Sequence, residues 1–145
     1  MAAPGPPDAP FQMLDVRDLA TFVLDRIEGL ETNLYGVAGP TESNGMQHTL
    51  ATARDVADAK TTFAWLPEKV LQDFGEEASR WFPMWQPNSG FHTYDSSKAL
   101  RAGLKVRPLA ATVADTLAWD EARGRPELRF GLPRAREREL LALAS

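Results

Sequence analysis

The chain contains no cysteine. That excludes disulfide bridges, cysteine-ligated zinc and thiol nucleophiles, and it is compatible with a reducing cytosol. Histidine is scarce. His48 and His92 are the only two, and no carboxylate is spaced with either in a metal-ligand pattern. No metal site is therefore expected. Positive charge is not in excess: 16 Lys and Arg stand against 20 Asp and Glu, for a net charge of -4 and a pI near 5.2. That balance argues against a nucleic-acid interface and leaves no nucleic-acid partner expected. No apolar run approaches the roughly 20 residues that span a bilayer, so no membrane partner is expected either. The N-terminus lacks a basic segment followed by an apolar one, which excludes a secretory signal. The expected location is cytoplasmic.

What remains is ordinary for a globular protein: 145 residues, 43% apolar and 25% charged. That suits one domain, or part of a larger one, with a real but modest core. The stretch with the clearest pattern is Asp15-Val16-Arg17-Asp18-Leu19-Ala20. It opens a helix running to about Glu28. Val16, Leu19, Ala20, Val23, Ile27 and Leu30 recur at spacings of three and four and form one apolar stripe, while Arg17, Asp18, Thr21, Asp25, Arg26 and Glu28 lie off it. Asp15 suits the cap, and Gly29 suits a left-handed terminator. Almost nothing precedes this helix to cover its stripe.

Residues 1–10 carry four prolines and a glycine and are expected to be a loop or disordered segment. Residues 11–145 form the remaining unit. Asn33 to Ala38 reads as a strand closed by Gly39-Pro40, and Thr41 to Gly45 as a turn. A helix is expected from Met46 to about Ala59, a second strand over Thr61 to Leu66, and a short helix from Glu68 to Phe74 stopped by Gly75. Trp81 to Pro87 is aromatic and broken by proline, so it fits neither helix nor central strand. Phe91 to Tyr94 reads as extended. Asp95 or Ser96 caps a helix from Ser97 to Ala102, ended by Gly103. Pro108 opens a helix ending near Arg123-Gly124, with Leu109, Val113 and Leu117 as its ridge. A last helix spans Pro133 to Ala144. Helices interleaved with a few short strands make a mixed α/β pattern, with too few strands for a complete doubly wound sheet.

Five pieces in order then carry a resemblance: Asp15-Val16-Arg17-Asp18-Leu19-Ala20; Tyr35-Gly36-Val37-Ala38-Gly39-Pro40; Asp95-Ser96-Ser97-Lys98-Ala99; Gly103-Leu104 with Arg107-Pro108-Leu109; and Thr112-Val113 with Asp115-Thr116-Leu117 and Trp119. From about Gln12 onward the chain resembles the C-terminal half of an extended short-chain dehydrogenase/reductase, of the NAD-dependent epimerase/dehydratase kind. The resemblance implies a substrate-binding part of an extended fold, lacking most of the Rossmann sheet. It implies NAD(P) as cofactor of a full-length relative and none held by this chain. The family's glycine-rich nucleotide turn has no match here, because Gly36 and Gly39 lead into Pro40 and not into a helix N-terminus. The chain begins where the family would be past its catalytic residues, as a truncated product, a split half or a stand-alone module would. No residue is expected to be catalytic.

Tyr94 and Lys98 do fit Tyr-x-x-x-Lys, a spacing that puts a phenol and an ammonium on one helical face. In the family that pair precedes the Asp-x-Arg-Asp-Leu-Ala helix, whereas Tyr94 follows it, so the match is read as accidental. Trp81, Trp85 and Phe91 lie where the resemblance places the substrate cleft, and they are the candidate substrate-binding residues. Trp65 and Trp119 are expected in the core. The family's diphosphate-binding arginines align with Phe11 and Trp85, which implies a less anionic substrate. Arg107 is expected to pair with a carboxylate. Arg134 to Glu139 mix signs as a solvated face does. Two functions follow as expectations. One is a substrate-binding portion of an oxidoreductase or epimerase, inactive alone. The other is an interaction module whose apolar helix face meets a Rossmann-domain chain or forms a homodimer.

Overall fold

The computed structural model describes residues 1–40, 45–86, 89–127 and 129–143. Its elements are β1 (Ala2–Pro4), α1 (Val16–Glu28), α2 (Met46–Val56), β2 (Ala64–Leu66), α3 (Glu68–Asp73), α4 (Glu76–Trp81), a 3-10 turn (Ser89–His92), α5 (Ser97–Arg101), α6 (Leu109–Ala122) and α7 (Arg134–Leu143). The fold is mixed α/β, and among the described residues β1 and β2 form one short parallel sheet. No described helix is long and apolar enough to cross a membrane.

Residues 1–10 depart from expectation. Ala2, Ala3 and Pro4 are a buried strand paired with Ala64, Trp65 and Leu66. Proline removes a donor, but Pro4 sits at the strand's end, and the small alanines let β1 lie close under its neighbours. Backbone bonds extend the pairing at both ends, from Ala64 N–H to Met1 O at 2.9 Å and from Gly5 N–H to Leu66 O at 3.1 Å. A Cβ on Gly5 would fall 2.6 Å from that carbonyl oxygen, so the approach needs glycine. Glu137 of α7 accepts from Ala2 N–H at 3.0 Å.

The helices follow their signals closely. Asp15 caps α1 by accepting from Arg17 N–H at 2.9 Å. Gly29 stays right-handed, and Leu30 takes the positive φ of 51° instead. Gly75 and Gly103 stop their helices as expected, each with a positive φ, 55° and 100°. Asp95 accepts from Ser97 N–H at 2.9 Å at the start of α5. Three readings fail. Asn33 to Ala38 is not a strand, Glu76–Trp81 is a helix that includes a residue read as irregular, and Phe91 falls in a 3-10 turn. Of the expected turn over Thr41–Gly45 only Gly45 lies among the described residues. Pro87 and Ala144 also lie outside them.

Two apolar clusters hold the fold. The larger joins Leu66, Leu71, Ala78, Phe82, Trp85 and Leu140 around β1 and β2. The smaller joins Phe22, Ala99 and Leu104, flanked by Tyr35, Val37 and Val106. Only Phe22 represents the apolar side chains of α1 in either cluster. Truncating Leu66, which is fully buried, should cost about 2–5 kcal/mol, whereas Leu34, at 87% exposed, should cost close to nothing. Urea titration of Leu66→Ala and Leu34→Ala checks this, and equal midpoints would contradict the core assignment.

Candidate functional site

The first turn of α1 carries a polar knot. Asp15 and Asp18 are both buried, at 6% and 9% exposed. Their partners come from α1 itself, from the segment that leads into α6 and from α6. Asp15 takes Arg17 Nη2 at 2.7 Å and the Thr112 hydroxyl at 2.9 Å. Asp18 takes Arg107 through the backbone N–H at 2.9 Å and through Nε at 2.8 Å. A second guanidinium nitrogen, Nη2, lies 2.7 Å from the same carboxylate. Arg17 also reaches Asp115 of α6 at 2.7 Å. Buried carboxylates need such donors, and a planar guanidinium supplies several in fixed geometry.

The same contacts set the electrostatics. Hydrogen bonds from the Arg17 side chain hold the Asp15 carboxyl well below the usual carboxylate range, aided by Thr112 and opposed by burial. The Arg107 side chain does the same for Asp18. Both groups are anions committed to structural partners. Neither has the raised pKa or the open lone pair of a general acid or base.

The knot also fixes the rotation of α1. With Asp18 and Phe22 turned inward, the stripe turns outward. Val16 is 74% exposed, Val23 45% and Ile27 62%. Leu19, Leu24 and Leu30 join this exposed surface. Next to it, a groove between Met13–Arg17 and α6 is lined by Thr112, Asp115, Thr116 and Trp119. Trp119 was expected in the core but is 58% exposed, with the Arg123 guanidinium 4.0 Å over its indole. Its position on α6 faces away from both clusters.

The three candidate substrate-binding residues share no single pocket, although Trp81 packs against the larger cluster that contains Trp85. Trp85 is buried in the larger cluster. Trp81 lines a cavity of about 340 Å³ with Met46, Leu50, Phe82, Leu132 and Glu137. Phe91 is exposed in a separate cleft with Gln12, Val37, His92 and Tyr94. Trp85 lines yet another depression, beside Met84 and His92. Phe11, at one of the diphosphate-arginine positions, is buried against the His92 ring at 4.7 Å.

Tyr94 and Lys98 have separate partners. Lys98 Nζ donates to Leu34 O at 2.8 Å and to Asn33 Oδ1 at 3.2 Å, and lies 5.0 Å from the Tyr35 ring centroid. Tyr94 is 60% exposed and binds through its backbone, which Gln12 clips from both sides at 2.9 Å. His92 accepts from Gln12 N–H through Nδ1 at 3.4 Å. Burial pushes the imidazole's pKa down, with the Met84 backbone pulling weakly the other way. Among the described residues no three His, Asp or Glu side chains gather as metal ligands.

Reading the sequence missed Gln12, Thr112 and Glu137. Each is polar, and each acts on a partner at least 27 positions away, where no local spacing could signal it. No family model, curated protein or solved structure matches the chain.

Two measurements follow. Asp18→Asn leaves Arg107 facing a neutral amide and should cost about 1–3 kcal/mol by urea unfolding. Asp115→Asn, at the exposed end, should cost well under that. Equal costs would mean the knot is not buried in solution. The pH dependence should show two windows. His92 has a lowered folded pKa, so its contribution is present above pH ~6.5 and declines as pH falls below that value. Asp15 and Asp18 are also lowered, so theirs is present above pH ~4 and is lost as pH falls further. Thermal melts of the parent chain and Asp18→Asn from pH 7 to 2 should diverge above pH ~4 and converge at the acid end.

Proposed function

We propose that the chain is the substrate-binding portion of an NAD(P)-dependent reductase or epimerase of the extended short-chain dehydrogenase kind, without catalytic activity of its own. In this reading α1 docks on a Rossmann-type domain, in a longer polypeptide or in a separate cytoplasmic chain. The observation that carries it is the exposed apolar stripe of Val16, Val23 and Ile27 on a helix whose opposite side is firmly anchored. Such a stripe on a well-capped helix is a face made to be covered.

A second feature supports the same reading. Asn33 to Ala38 has the composition of a strand but is not one here. Among the described residues no backbone N–H from Thr32 to Val37 donates a hydrogen bond. A sheet contributed by a neighbouring domain would satisfy those donors and cover α1 together, as layered α/β folds do. Phe11 and Trp85, apolar and buried, offer no charge for a diphosphate, which favours a substrate of low negative charge. Trp81, Trp85 and Phe91 remain the proposed substrate contacts, shared among three depressions that a docked domain would have to complete.

Calorimetric titration of the isolated chain with NADH and NADPH should show no saturable heat. Micromolar binding would overturn the reading. With a Rossmann-type domain encoded beside it, the chain should co-purify, and Val23→Glu or Ile27→Glu should abolish that association while leaving the melting temperature of the isolated chain within about 2 °C. Self-association of the isolated chain on a sizing column, lost in Val23→Glu with no such neighbour, would favour the homodimer instead.

A further inference from the structure

The cavity beside Trp81 lies between β1, α2, α4 and the start of α7. Its volume of about 340 Å³ falls within the range of small-molecule sites. Met46 and Leu50 of α2, Trp81 of α4, Phe82 and Met84 after it, and Leu132 before α7 give it an almost wholly apolar wall. Methionine and aromatic side chains in such a wall accommodate flat or flexible apolar groups. Two charged groups border it: the N-terminal ammonium of Met1, which donates to Thr62 O at 3.0 Å and makes no ion pair with Glu137 among the described residues, and the carboxylate of Glu137. That carboxylate is pinned. One oxygen, Oε1, accepts from Ala2 N–H at 3.0 Å, while Oε2 has no hydrogen-bond or ion-pair partner among the described residues. The nearby Arg136 does not neutralise it, since its guanidinium binds Glu139 at 2.6 Å and lies 5.6 Å from the Trp81 ring centroid.

An apolar chamber with one fixed, half-used carboxylate selects by charge as well as by shape. A neutral apolar molecule gains only the wall. An anion meets repulsion. A compact ammonium with an aromatic or alkyl body gains the wall and a charge-assisted hydrogen bond to Oε2. We propose that this cavity binds a small apolar amine in its cationic form, with Glu137 as its counter-ion. The proposal shares Trp81 with the functional reading above and names the ligand class that this residue would meet. It does not need docking through α1, so the two fail separately.

The test uses the isolated full chain, labelled with nitrogen-15. It is titrated with 2-phenylethylammonium, with 2-phenylethanol as the neutral isostere and with 3-phenylpropionate as the anion. The ammonium should give saturable shifts centred on the Ala2 amide and the Trp81 indole N–H. The alcohol should bind about threefold to fivefold more weakly, and the anion more weakly still. Glu137→Gln keeps an acceptor for Ala2 N–H, so β1 should remain in place. In that variant the ammonium should lose its advantage while the alcohol is unchanged. Leu50→Trp fills the chamber and should remove binding of both. Equal affinities for the three probes, or no saturable shift with ~10 mM ammonium on the folded parent chain, would overturn the proposal.

Discussion

Two carboxylates on the first turn of one helix, Asp15 and Asp18, are out of water and depend for their charge balance largely on guanidinium groups. Arg107 reaches Asp18 from 89 positions further along the chain. It spans the pair, with Nε 3.5 Å from Asp15 as well. An unpaired buried carboxylate is costly, so this arrangement tolerates little slack. Arg107 precedes Pro108, and Pro108 opens α6. Fixing the guanidinium therefore fixes where α6 begins, and Thr112 and Asp115 on α6 complete the same knot. The relative placement of α1 and α6 follows from it.

The knot has a consequence for the apolar part of α1. A helix presents roughly one face at a time to a core. Asp18 and Phe22, four positions apart, share the inward face, and the stripe of Val16, Val23 and Ile27 is carried outward. Hydrophobic burial alone would favour the opposite rotation, with the stripe inside and the carboxylates in water. Burying three aliphatic side chains is worth several kcal/mol at roughly 1.5–3 kcal/mol each. The polar arrangement holds because rotation would take Phe22 out of the smaller cluster and orphan Arg107. The exposed stripe is thus enforced by the polar contacts of this chain.

Local pattern made most helices legible, because their signals are local. Asp15, Gly75, Gly103 and Pro108 each act within one turn of their own position. The stripe on α1 was also legible, as was its want of a cover. The first ten residues were not, because their partner strand lies some sixty positions away at Ala64–Leu66 and proline-rich composition hides a three-residue edge. Asn33 to Ala38 misled in the other direction: it has strand composition, but a strand needs a ladder, and among the described residues none is offered. The aromatic candidates were legible as a group in sequence only. Trp81, Trp85 and Phe91 sit on a helix end, an irregular stretch and a 3-10 turn, and those backbones send the rings into different depressions. Glu137 looked like one more charge on a mixed helix face, since its partner is a backbone amide 135 positions distant.

Orienting a helix and transferring a proton make different demands on a carboxylate. A carboxylate that serves in proton transfer needs a pKa near working pH and a free oxygen facing the reacting atom. Asp15 and Asp18 have lowered pKa values and oxygens filled by Arg17, Arg107 and Thr112. They orient the helix. The face they expose is apolar and carries no group suited to bond making. Lys98, the other group with a catalytic spacing, is spent on Leu34 O and Asn33. A cation held there stabilises the unpaired segment that leads away from α1, next to the same open surface. Asp15, Asp18 and Lys98 are thus committed to holding and presenting a surface. The Trp81 cavity differs because its one carboxylate keeps an oxygen in reserve, and that distinction, more than size, is what the proposed amine site rests on.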